Sequence, residues 1–207
     1  MTRRTTTTVL AMAMCVAGSR AARAETNDMK MKMKKHDKGS VMKMIEGWPA
    51  KPKEMAMMLM DKHGAPSGAT SMMLVWDGPA PFKKTILSSK ETPHNWPMPH
   101  TDFLESVIDY KAPWDKFDDL AQFDGSVIAE RTMGTLSARC DKVENNFLAL
   151  NLANDVATGK KSSAEARRAF EEAAMAAKNG QMSAMMKGLQ FEVMKSGTAD
   201  PDMAHMR

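Results

Sequence analysis

The chain has 207 residues with 29 basic and 25 acidic side chains, a formal net charge of +4 and a pI near 9.0. Arg3, Arg4, Arg20 and Arg23 carry that whole excess, because every acidic residue lies at or after Glu25. From Glu25 onward the chain is formally neutral, which excludes a nucleic-acid role argued from charge. Cys15 and Cys140 are the only cysteines, so a disulfide framework is excluded once the first is removed.

Residues 1–24 have the order of a secretory signal peptide: basic Arg3 and Arg4, an apolar run from Val9 to Gly18, then Ala22-Arg23-Ala24 as a small-x-small cleavage site. The cut is predicted after Ala24, with a soluble periplasmic or secreted product. No later run reaches the ~20 apolar residues of a membrane-spanning helix. Residues 25–47 are rich in Met and Lys, and their composition predicts a flexible segment. Residues 48–179 hold all four tryptophans and most aliphatic residues, and read as one globular domain. Residues 180–207 read as a methionine-rich, weakly structured tail.

Within the domain, Pro52 and Gly64 bracket a helix over 52–63. Residues 71–76 and 83–88 flank Asp77-Gly78-Pro79-Ala80-Pro81 as a β-hairpin. A proline-rich loop spans 93–99, and the spacing of Phe103/Val107 and Leu104/Ile108 favours a helix over 102–110. A short helix runs from Pro113 to Gly125. A second hairpin pairs 126–131 with 135–139 across Met133-Gly134. Asp141 and Glu144 have capping-box spacing before a helix that Gly159 ends, and Ser162 and Glu165 repeat it before a helix reaching Lys178. The fold class is α+β: a small antiparallel sheet from two hairpins, packed against several helices that include a C-terminal helical hairpin.

Several strings are long enough to be specific: His63-Gly64-Ala65-Pro66, Pro93-His94-Asn95-Trp96-Pro97-Met98-Pro99-His100-Thr101-Asp102, Phe123-Asp124-Gly125-Ser126-Val127-Ile128, Ser137-Ala138-Arg139-Cys140-Asp141 and Asn146-Phe147-Leu148-Ala149-Leu150-Asn151-Leu152-Ala153. Through them the stretch from Trp48 to Phe170 resembles a family of uncharacterised bacterial proteins. The resemblance implies an independently folding unit and no function. Members of that family carry a histidine where this chain has Asn154, so a reaction needing that histidine is not implied here.

Three groups of residues offer chemistry. Met29-Lys30-Met31-Lys32-Met33-Lys34-Lys35-His36 alternates thioethers with lysines. In an extended segment Met29, Met31 and Met33 share one face, and His36 adds a nitrogen, which suits Cu(I). Against it, the excess of lysine over 29–44 repels a cation and suits weak contact with anionic lipid instead. Exposed methionines also scavenge oxidants. The second group is His94, His100 and Asp102 on the proline-stiffened loop, two imidazoles and a carboxylate fit for a transition metal or for acid–base work. The plainer account is a loop anchored over the core by Trp96, with Asp102 near a helix start. A shared metal also requires His94 and His100 to lie within about 10 Å, because ligand bonds are only ~2.0–2.1 Å. The third is Cys140, which strand alternation places with Leu136 and Ala138 on a buried face, as an inert thiol.

No G-x-S-x-G, phosphate-binding loop or H-E-x-x-H occurs. These residues describe an exported, non-enzymatic protein that binds an unidentified envelope ligand. The rival readings are Cu(I) binding by Met29, Met31, Met33 and His36, and an enzyme built on His94, His100 and Asp102 with Cys140.

Overall fold

A computed structural model describes residues 37–204. Residues 1–24, read above as a signal peptide, and the Met29–His36 motif lie outside the described residues.

Helix α1 (Lys38–Met44) begins where Asp37 accepts the Ser40 backbone N–H, and α2 spans Ala50–His63. The composition of 25–47 predicts little fixed structure, but its last part is folded. Val41 and Ile45 recur one turn apart and are fully buried with Trp48, Met55, Leu59 and Met60. Met57 and Met58 of α2 face outward, so only half of that helix's methionines fill core space.

Six strands follow: β1 (Gly68–Ala69), β2 (Met73–Asp77), β3 (Lys84–His94), β4 (His100–Asp109), β5 (Val127–Glu130) and β6 (Thr135–Cys140). They form one antiparallel sheet in the order β1-β2-β3-β4-β6-β5. Both expected hairpins are present. A single 3-10 turn (Trp114–Lys116) and α3 (Phe117–Phe123) connect β4 to β5.

The helix expected over 102–110 is strand β4. The i, i+4 apolar spacing there is a by-product of a run that is apolar on both faces. Burial alternates from Leu104 to Asp109, but the inward position of Ser106 and the apolar Phe103 and Val107 on the opposite face hide that period in the sequence. Leu104, Ser106 and Ile108 point to the helical side, where α4 (Val143–Ala157) crosses β4 and β6. From Asn146 to Ala157 every residue of α4 is buried, because the sheet, α3, α5 (Ser163–Lys178) and α6 (Ala184–Lys187) surround it.

The two expected capping boxes differ in outcome. Ser162 and Glu165 form one at the start of α5, each side chain meeting the other residue's backbone N–H. At α4 the N-cap is Lys142, without a side-chain bond, and Asp141 Oδ1 accepts from Asn145 Nδ2 instead (2.9 Å). Residues 188–204 carry no helix or strand, yet Thr198 is buried over the β5–β6 turn and Arg131 pairs with Asp200 and Asp202. Among the described residues no helix is long and apolar enough to cross a membrane.

Candidate metal centre

Strand β3 ends at His94 and β4 starts at His100, so the proline-rich loop is reduced to residues 95–99. Trp96 pins that loop to α5. Its indole N–H donates to Glu171 (2.7 Å), the Arg167 guanidinium lies 4.0 Å over the ring, and Phe170 packs 5.0 Å away. The anchoring role expected of Trp96 is thus present, and it holds a polar cluster rather than an inert cover.

His94 and His100 are direct cross-strand partners with ring centroids 4.8 Å apart. Asp102 is two residues along β4 and so shares a face with His100. A break in register brings His94 to that same face. Thr85 and Leu87 pair with Ser106 and Leu104, but Thr92 and His94 pair with Asp102 and His100, because Ser88–Glu91 stand opposite Phe103 alone. The three extra residues of this bulge reverse the alternation of β3.

Asp102 is 2% exposed and sits between the two imidazoles. His94 Nδ1 lies 3.2 Å from its Oδ2, and His100 Nε2 lies 3.2 Å from its Oδ1. Among the described residues, His94 Nδ1, His100 Nε2 and Asp102 Oδ1 are buried and have no hydrogen-bond partner. The candidate ligand atoms of these residues all lie within 4.8 Å of one another. For bonds of ~2.0–2.1 Å, tetrahedral ligand atoms stand ~3.3 Å apart, which the 3.2 Å between His100 Nε2 and Asp102 Oδ1 already matches.

The outer side of each residue is turned to a polar neighbour. His100 Nδ1 donates to the Met98 carbonyl (2.8 Å), which directs Nε2 at Asp102. His94 Nε2 faces Asp124 Oδ1 at 3.9 Å, and that oxygen is held by the Ser126 backbone N–H (2.8 Å). The Ser126 hydroxyl donates to Asp102 Oδ2. Outer partners of this kind fix the tautomer and orientation of metal ligands.

The Asp102 carboxylate, then Cys140 and the Met98 carbonyl, push the His100 pKa up to about 11 against the effect of burial. Burial works to raise Asp102, but the close His100 side chain, the Ser126 hydroxyl and the charge of the two nearby imidazoles hold it below its ordinary value. Burial raises Asp124, and burial also raises the Cys140 thiol. His100 is therefore protonated at neutral pH, and a role as base or as ligand requires that it give up this proton.

Cys140 is 5% exposed, in keeping with the burial expected of it, but it borders a cavity of about 580 Å³ together with His100, Met98, Phe170 and Met186. Four of the residues singled out in sequence thus gather at one end of the sheet. Asp124, Ser126 and the Met98 carbonyl were not singled out as functional. The Asp124-Gly125-Ser126 spacing of a side-chain-capped turn is the one local hint of the first two. No protein-family model, curated protein or solved structure matches this chain.

Proposed function

We propose that this is an exported protein of the bacterial envelope that binds one divalent transition-metal ion through His94 Nδ1, His100 Nε2 and Asp102 Oδ1. One observation carries the reading: three buried ligand atoms converge without hydrogen-bond partners while the opposite side of each residue faces a polar neighbour. Buried polar atoms are normally paired, so a convergent unpaired set calls for an occupant. Two imidazole nitrogens with one carboxylate oxygen suit Zn(II), Cu(II), Ni(II) or Fe(II) better than Mg(II) or Cu(I). Histidine binds as neutral imidazole, so the ion replaces the proton that His100 carries. The export signal supports the address.

The test is a Zn(II) titration of chelator-stripped protein by calorimetry. The expected result is one ion per chain, lost in His100→Ala and Asp102→Asn. Unchanged Zn(II) binding in both variants overturns the reading. Cu(I) binding at Met29, Met31, Met33 and His36 remains a separate proposal, tested by replacing the three methionines with leucine and challenging with a Cu(I) chelator. Lipid contact through 29–44 is a weaker one, since Lys38 pairs with Asp61 and Val41 lies in the core.

A further inference from the structure

Three protein ligands leave a tetrahedral ion one position short. We infer that Cys140 fills that position, its thiolate binding the same ion as His94, His100 and Asp102. This rests on the metal reading above. Cys140 pairs with Leu104 across the β4–β6 ladder, so it stands diagonally next to Asp102 on the helix-facing side of the sheet. Cys140 and His100 line the same cavity. Polar neighbours of the cysteine sulfur are Asn145 Nδ2 at 3.4 Å and Asp141 Oδ1 at 3.5 Å, which bond to each other at 2.9 Å and keep that bond if the sulfur rotates away. The Asn145 N–H aimed at the sulfur suits a thiolate, which accepts and does not donate. Independently of the cysteine, Asp102 Oδ1 is fully enclosed, unpaired and turned to the same side of the sheet.

Charge points the same way. A divalent ion on two neutral imidazoles and one carboxylate leaves a net positive charge in a buried site, and burying unbalanced charge is costly. A thiolate makes the complex neutral. On loading, metal–sulfur and metal–nitrogen bonds form, the Cys140 S–H and the His100 Nε2–H bonds break, and both protons leave to solvent with nothing oxidised or reduced. The cavity that Cys140 and His100 share gives the ion a way in. Adding a thiolate shifts the donor set toward Zn(II) and away from Mn(II) and Fe(II).

The experiment uses protein purified after export, in which Cys140 is the only thiol, stripped with chelator and loaded with Co(II). The expected spectrum has a near-ultraviolet sulfur-to-cobalt charge-transfer band together with the visible bands of a four-coordinate ion. Cys140→Ser is expected to keep Co(II) binding, lose the near-ultraviolet band and bind about tenfold or more weakly, at least the loss produced by removing an outer partner of a ligand. Co(II) binding by the wild-type chain without that band overturns the cysteine inference and leaves the His–His–Asp site standing. Failure of folded wild-type protein to bind Co(II) or Zn(II) at all overturns the metal reading itself. The wild-type spectrum alone decides, so a poorly folded variant does not obscure the answer.

Discussion

Two buried polar groups, one midway along α4 and one where β3 meets β4, solve burial differently. Asn151 donates to the carbonyls of Met185 and Gly188, both at 2.9 Å, and accepts from the Gln190 backbone N–H at 2.7 Å. Its amide is saturated, and it ties the α6 turn to the helix. Asp102 is as enclosed as a core residue and the imidazoles of His94 and His100 are half-buried, yet one buried atom of each is left without a hydrogen bond and all three converge. A saturated buried polar group holds the fold together. A convergent unsaturated one costs stability unless something outside the chain completes it.

That contrast can be broken by mutation. The largest expected effect is in the cluster: Asp102→Ala should lower metal affinity by more than the roughly 10–100-fold typical of losing an outer partner, read by competition with a chromophoric chelator. Its stability without metal should fall as well, because the charged His100 loses its carboxylate and the Ser126 hydroxyl loses its acceptor, so metal affinity is the readout that separates a ligand from a structural group.

Asn151→Ala should lower stability alone. It strands two carbonyls and one N–H, so urea unfolding should report a loss of about 2–4 kcal/mol with metal affinity unchanged. Ser126→Ala belongs between the two groups, because its hydroxyl serves Asp102 from outside. Affinity should fall by about tenfold and stability by roughly 1 kcal/mol. Ser162→Ala removes one half of a capping box remote from the cluster and should cost about 1 kcal/mol with no effect on metal.

The smallest effect concerns pH and falls at α4. Tyr110, the only tyrosine, donates to Asn154 Oδ1 at 3.0 Å, and burial with the Asp155 charge raises its pKa above 10.0. The folded state thus favours the neutral phenol. Its contribution is intact below pH 10 and is lost as pH rises through the raised value. Ultraviolet tyrosinate absorbance should appear at higher pH in folded protein than in urea, and coincident titrations would remove this account.

Much of the fold was legible in residues with local causes. The Ser162/Glu165 box, the β5–β6 turn at Gly134 and the end of α4 at Gly159 each depend on a few adjacent residues, and both glycines take positive φ (66° and 73°). The same rule failed at Asp141/Glu144, where Asn145 captured the Asp141 carboxylate first. It failed again along β4, where a buried Ser106 and a Phe103 on the opposite face mask the alternation that local pattern needs. The site was half legible. His100-x-Asp102 share a face in any strand, and the prolines around His94 and Trp96 marked a stiffened loop.

By itself the sequence determined an α+β domain, its hairpins, its C-terminal helical pair and the set of donor residues worth watching. Only the tertiary structure decided that His94 joins His100 and Asp102, because the parity of a strand is set by its pairing partners and not by its own residues. Four residues of β3 against one of β4 turn that imidazole to the helical side. Asp124 and Ser126 then arrive from the start of β5, and Cys140 from the end of β6. Side chains so distant along the chain acquire a common site only when the sheet closes around them.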